Sequence, residues 1–183
     1  MMAKKCYRGV TLIEILIVIV IISILFVVAV PGFSGLIVGN QIAGNTGDFI
    51  STLRRAKTES GASNTSVILC IRDGDVCIAT TDVTSTWSSG WLVFLDDNGD
   101  GLKDTTEALS YQYEDFGQDI TFIAVDGSGT AVKRISFSPS GDTSLASAAI
   151  FVMCDKNKNN RRGVLVTVAG HASRLDSING GQC

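Results

Sequence analysis

From Val10 to Val30 the chain runs through 21 residues of which one, Glu14, is charged. A helix of that length spans about 31 Å at 1.5 Å per residue, which matches the hydrocarbon thickness of a bilayer. The stretch in front, MMAKKCYRG, carries Lys4, Lys5 and Arg8 and no acid. A secretory signal peptide places its small-residue cleavage site after the apolar core. Here the candidate small residue, Gly9, stands before that core. Cleavage there would leave the hydrophobic helix on a mature protein that starts at Val10. By the positive-inside rule the basic leader stays cytoplasmic, and everything after Pro31 lies on the other side. An uncleaved signal anchor is the plainer alternative.

Glu14 weighs against that alternative. A carboxylate inside a span costs about 2.5–3.5 kcal/mol on insertion scales and usually marks function. It would be the fifth residue of a chain cleaved after Gly9. The new α-amino group on Val10 would then be a cation at similar depth. An adjacent subunit could supply that amine to Glu14, so that two charges, each costly alone, would pair. The segment Gly9-Val10-Thr11-Leu12-Ile13-Glu14, with its apolar continuation and Pro31, resembles a type IV prepilin N-terminus. The resemblance implies cleavage after Gly9 by a prepilin peptidase, methylation of the new N-terminus, and a role for Glu14 in assembly. Val10 departs from the Phe that most such sequences carry after the cleavage site.

Beyond the span there is room for one domain. The net charge of −3 becomes −6 once the three leader cations are removed. That balance argues against a generic nucleic-acid binder. From Pro31 to about Ser60 the pattern stays helical. Val38, Ile42, Phe49, Leu53 and Ala56 share one face, with Gln41, Asp48, Arg54, Arg55 and Glu59 on the others. Pro31, Gly32, Gly35 and Gly39 predict a weak segment, able to bend or unwind, at Pro31–Gly39.

After Gly61 the texture changes to short β-type runs at 66–71, 76–80, 91–95, 108–113, 120–125, 132–137, 149–154 and 164–168. Turn signals such as Asp73-Gly74, Asn98-Gly99, Asp126-Gly127 and Ser140-Gly141 lie between them. The expected fold is α+β and pilin-like: one long N-terminal helix, hydrophobic and membrane-spanning in its first half, packed on an antiparallel β-sheet domain. The divisions are 1–9 leader, 10–31 span and assembly half of the helix, 32–62 amphipathic half, and 63–183 the β domain.

Cys6 falls in the leader, which leaves four cysteines and three connectivities. If Asp73-Gly74 is a two-residue hairpin turn, Arg72 faces Asp75, Ile71 faces Val76 and Cys70 faces Cys77. Opposed strand residues lie within disulfide range. Cys154 is then left for Cys183, which would tie down the C-terminal tail. Metal binding by cysteine is the alternative, but no C-x-x-C spacing occurs and His171 is the only histidine.

Trp87–Glu107 is the second distinctive stretch. GWLVF reads as a buried strand. Behind it Asp96, Asn98, Asp100, Gly101, Asp104 and Glu107 stand at positions 1, 3, 5, 6, 9 and 12 of a calcium loop. The donors are hard oxygens around a glycine. Against this, a strand rather than a helix precedes them, and Lys103 occupies a usually apolar place. A polar turn with local Asp and Asn hydrogen bonds is the competing reading. No other cofactor is expected.

Several motifs together resemble the GspH/FimT (FimU-like) family of minor pilins and pseudopilins. They are Cys70 and Cys77, Trp87 to Gly101, Ile135 to Gly141, Cys154, and Val166 to Gly170. The resemblance covers nearly the whole chain. It implies a low-abundance subunit that helps initiate or cap a type IV pilus. Its partners would be the major pilin, other minor pilins, the prepilin peptidase and the inner-membrane assembly platform. The subunit would cross the inner membrane once, with its domain periplasmic, and later be extracellular in the pilus. An H-type pseudopilin of a type II secretion system needs the same helix and fold and is the alternative reading.

DNA uptake is a third. Some relatives use a C-terminal G-R-x-R element, but Gly170-His171-Ala172-Ser173-Arg174 departs from it, and the role is not carried over. A separate basic run holds Lys156, Lys158, Arg161 and Arg162, which could contact phosphates or form a solvated hairpin tip. No G-x-S-x-G turn, P-loop or H-E-x-x-H motif is present, so an enzyme is not expected.

Overall fold

The computed structural model describes residues 9–78, 86–117, 119–157 and 160–175; side chains at 26–34 lie outside the description. Among the described residues one long helix, α1 (Leu12–Ser63), precedes nine strands. Its start is a capping box. The Thr11 hydroxyl accepts from the Glu14 backbone N–H at 3.3 Å, and the Glu14 carboxylate accepts from the Thr11 N–H at 3.5 Å. Its end is set by Asn64, whose φ of 52° is left-handed and cannot continue the helix. Between these points the backbone is helical throughout, including Pro31 to Gly39.

The chain divides into two compact units between Ile37 and Val38. In the first, the large apolar side chains from Leu12 to Leu25 are all at least 45 % exposed. Among the described residues no helix is long and apolar enough to cross a membrane.

In the second unit the expected apolar face of α1 is buried: Ile42, Phe49, Leu53 and Ala56 fully, Ile50 nearly so, Val38 in part. Burial of such side chains stabilises by about 1.5–3 kcal/mol each. Thr46, Thr52 and Ser60 are buried beside them. Each hydroxyl donates back to a carbonyl of its own helix, Ile42 O, Asp48 O and Lys57 O respectively.

All strand pairs among the described residues are antiparallel. The first sheet contains β1 (Ser66–Asp73), β2 (Val76–Cys77), β3 (Trp91–Asp96), β4 (Leu109–Tyr113) and β6 (Arg134–Phe137). Its order is β2-β1-β3-β4, with β6 also on β1. The second sheet runs β5-β7-β8-β9, built from Ile120–Asp126, Ala149–Asp155, Arg161–Val166 and Ala172–Leu175. Phe49 joins helix and sheets. Its ring lies 5.1 Å from Trp91 of the first sheet, and 5.0 and 4.8 Å from Phe122 and Phe151 of the second.

Three expectations are corrected here. The hairpin turn is Gly74-Asp75, so Asp73 faces Val76 and Arg72 faces Cys77. Gly74 has φ 64°, which a II′-type turn requires at its first central residue. The run at 132–137 is not one strand. The Val132 N–H donates to Ala124 O in the second sheet, whereas Lys133 O already accepts from the Ile71 N–H of β1 and the chain pairs with β1 in the first sheet from Arg134 onward. The last strand, β9, carried no apolar alternation and was not expected.

Within the first sheet, β1 and β3 are buried on both faces. Val67, Leu69, Ile71, Trp91 and Val93 face the main core with α1. Ile68, Cys70, Leu92 and Phe94 form a second cluster on the opposite face. This explains why β1 and β3 read as near-continuous apolar runs.

Candidate functional site

Gly9 and Val10 precede the first turn of α1 in non-helical backbone, with Val10 exposed. Space is open around the Gly9 Cα. Glu14 is also exposed, and its carboxylate is turned back on Thr11. Thr11 was not singled out from the sequence, although T-x-x-E is itself the capping signature. The box satisfies the helix N-terminus within one chain and leaves the carboxylate at the first turn, where a negative charge is favourable.

Cys70 and Cys77 form a disulfide with Cα atoms 5.6 Å apart. Since Arg72 is the residue opposite Cys77, the bond is diagonal across the hairpin, between same-face residues. It closes one end of the second apolar cluster, where Cys77 packs. Cys154 is also disulfide-bonded; Cys183 lies outside the described residues.

The acidic loop does bring Asp96, Asn98, Asp100, Asp104 and Glu107 together, but their oxygens are engaged within it. Asp96, buried, accepts from Gly99 N at 2.9 Å and Gly101 N at 3.2 Å. Asn98 Oδ1 accepts from Asp100 N, and Asp100 Oδ1 from Leu102 N. Glu107, buried, accepts from Asp97 N and Asp104 N. Asp104 accepts from the Thr106 hydroxyl at 2.6 Å and from two amides. These bonds, that from the hydroxyl first, hold the Asp104 carboxyl below the usual carboxylate range. Lys103 Nζ donates to the carbonyls of Asp104 and Glu107 from within the same loop. Among the described residues no group of three or more His, Cys, Asp or Glu side chains is set to hold a metal ion. The loop also folds over the second cluster: Arg134 Nη1 donates to Gly101 O at 2.6 Å beside Ile68.

The basic run is dispersed. Lys156 pairs with Asp119 at 2.6 Å, which raises its pKa. Arg161 and Arg162 are neighbours on β8 and point to opposite faces. Lys158 lies outside the described residues. Asn160 instead seats the β7–β8 hairpin on α1. Its Oδ1 lies 3.1 Å from where a Cβ of Gly39 would stand, while Nδ2 donates to Asp155. His171 is exposed in the turn between β8 and β9, and Arg174 is exposed on β9.

A long N-terminal helix followed by antiparallel sheets, with a capped carboxylate at the helix start, is the build of a pilin. The fold is shared with two crystal forms of the type IV minor pilin FimU from Pseudomonas aeruginosa strain PAO1. One gives a TM-score of 0.52 at 14% identity over 74% of this chain and 89% of that chain. The other gives 0.50 at 15% identity over 73% and 91%. The family model "Type II transport protein GspH" matches residues 45–170, and that of the prokaryotic N-terminal methylation motif matches residues 4–30. The chain belongs to the GspH family. It is a type IV minor pilin or a GspH-like pseudopilin, and such proteins assemble with other pilin subunits. No curated protein matches it.

Proposed function

We propose that this protein is a minor pilin that is processed after Gly9, methylated on Val10 and built into a type IV pilus, where it helps initiate or cap the filament. The observation that carries the reading is the methylation motif at residues 4–30 immediately ahead of a GspH domain at 45–170. The proposed divisions are 1–9 leader, 10–31 span, 32–62 amphipathic helix and 63–183 β domain. The span holds the subunit in the inner membrane, domain outward, until extraction. Glu14 would then exchange its Thr11 contact for the α-amino group of a neighbouring subunit. Partners are the major pilin, other minor pilins, the prepilin peptidase and the assembly platform. No catalytic role is proposed.

The pilus is favoured over a secretion pseudopilus because the solved structures that share the fold are of a type IV minor pilin. Sheared surface filaments, blotted for this chain, test that choice. Presence in pili supports it. Absence from pili, with loss of protein secretion on deletion, assigns the chain to a pseudopilus. Intact mass with and without a prepilin peptidase tests the processing: the expected product begins at Val10 and carries one methyl group.

A further inference from the structure

Most outer strands of the two sheets have edges that are covered or blunted. Along β6 the Ser144 N–H donates to Ser136 O. Along β5 the Val132 N–H donates to Ala124 O, Thr130 O accepts from the Asp126 N–H, and Ser88 Oγ accepts from the Phe122 N–H. Strand β2 has two residues, and β9 has four with Arg174 among them. Covered, short or charged edges resist further pairing. Strand β4, LSYQY, ends its sheet with five residues, no charge and no proline. The Leu95 N–H donates to Ala108 O, so by alternation along β3 Val93 and Trp91 also turn their main-chain groups towards β4. Their partners Tyr111 and Tyr113 are spent on them, and Gln112 between points its N–H and C=O outward. The bulge at Val93–Phe94 disturbs the ladder only on the Leu109 side. Gln112 is exposed, and among the described residues no hydrogen bond reaches its main-chain groups.

We propose that the Gln112 edge of β4 accepts an antiparallel strand from a neighbouring pilin subunit, one that carries lysine or arginine at alternate positions. The inference rests on assembly with other subunits and not on which filament is built. The edge lies against α1. Tyr113 Oη donates to Asn45 Oδ1 at 2.9 Å, and Ser110 Oγ donates to Glu59. Burial, together with the nearby Asp48 charge, holds the Tyr113 phenol above its ordinary range. An added strand would therefore run beside the exposed Asp48 carboxylate. Asp48 and Asp115 are exposed, and among the described residues neither has an ion-pair partner. Glu114 is 72 % exposed and pairs with Arg72. Arg55, beside Ser110 O, is already held by the Tyr111 ring and Glu59. Main-chain pairing would supply the affinity, and the acidic flank the preference for cations. A second copy does not fit. Two β4 edges paired antiparallel are related by a two-fold axis normal to the sheet, which brings like carboxylates together and reverses α1. Subunits held by the proposed span in one membrane point the same way.

The test uses the full chain in detergent, with a short peptide alternating lysine and valine as the probe. The peptide should slow hydrogen exchange at the Gln112 amide about tenfold, the worth of one net hydrogen bond. Gln112→Pro removes that donor without touching the bonds to β3 and should abolish binding, and Asp48→Asn should weaken it. A peptide alternating glutamate and valine, or the lysine peptide with its backbone nitrogens methylated, should not bind. In cells, a photoreactive residue in place of Gln112 should cross-link to another pilin subunit, with one in place of the exposed Leu36 as the control for assembly. Binding unaltered by Gln112→Pro or by backbone methylation, no slowing at Gln112, or a cross-link to a second copy would each overturn the proposal. Cross-linking at Leu36 but not at Gln112 would overturn it and leave the pilin assignment standing. Cross-linking at neither would remove both.

Discussion

A Cβ placed on Gly170 would stand 2.5 Å from the carbonyl oxygen of Gly141. Two turns far apart in sequence, one after β6 and one after β8, therefore touch backbone to backbone. Both rest on Lys57 of α1, whose Nζ donates to Ala169 O at 2.6 Å. Ser60 Oγ of the same helix also reaches Ser138 O at 3.0 Å. The two glycine motifs at Ile135–Gly141 and Val166–Gly170 thus fasten the sheets to the helix.

Gly170→Ala should be strongly destabilising, since Gly170 has φ 70° and no room for a methyl group. Left-handed strain of about 1–2 kcal/mol adds to overpacking of about 1–3 kcal/mol. Gly129→Ala is the control. It has φ 83° in open space and should lose only the first term. Urea unfolding followed by circular dichroism measures both.

Phe49→Ala should cost about 3–5 kcal/mol, the usual loss for a fully buried aromatic. Its ring touches Trp87, Trp91, Phe122 and Phe151, so the cavity would open where α1 meets both sheets. Phe49→Leu should lose less. The same unfolding experiment decides.

Thr11→Ala should remove the helix cap, at about 1 kcal/mol, without removing the carboxylate. Glu14→Gln should keep an acceptor for the Thr11 N–H and lose the charge. If Glu14 acts through its charge during assembly, Thr11→Ala subunits will still enter filaments and Glu14→Gln subunits will not. Blotting sheared filaments against total membranes reads this out.

Loop stability should fall with acid. The Ser128 hydroxyl above all holds the Asp126 carboxyl below its ordinary range, as the Thr106 hydroxyl does for Asp104. A carboxyl whose pKa is lower in the folded state stabilises fully above the unfolded value. That contribution is lost as pH falls through the ordinary carboxylate range towards the folded value. Thermal unfolding from pH 7 to pH 3 should show a shallower decline in Thr106→Val and Ser128→Ala than in the unmodified protein.

Calorimetry of chelator-treated protein separates the two readings of the acidic loop. With its carboxylates engaged by Gly99, Gly101, Asp97 and Thr106 amides, a self-capped turn should give no heat at millimolar calcium. Heat at one ion per chain would assign the loop to calcium.

Much of the fold was legible because local chemistry repeats. The apolar face from Ile42 to Ala56 has a period that only a helix satisfies. Dipeptides such as Asp73-Gly74 and Asn98-Gly99 punctuate the strands. What was not legible depended on partners distant in sequence. Residues 132–137 read as one strand, yet their first residue bonds β5 and their last part β1. Strand β9 exists because β8 supplies its ladder, not because ASRL favours a strand. The Cys70–Cys77 pairing was read through an expected turn at Asp73-Gly74; the pairing holds but the register differs, since a glycine in a left-handed turn moves the hairpin by one residue and the bond forms diagonally.

The sequence by itself determined the elements: a 21-residue apolar stretch behind a short basic run, one carboxylate within it, an amphipathic continuation, and short strands between turns. These rest on hydrophobic periodicity and turn chemistry, which act between near neighbours. Tertiary structure decided how the acidic loop spends its carboxylates, how Arg161 and Arg162 of the basic run are split across the two faces of β8, and why Gly141 and Gly170 are glycines. Those outcomes depend on which surfaces meet, and close approach between segments a hundred residues apart leaves no pattern in the order of residues.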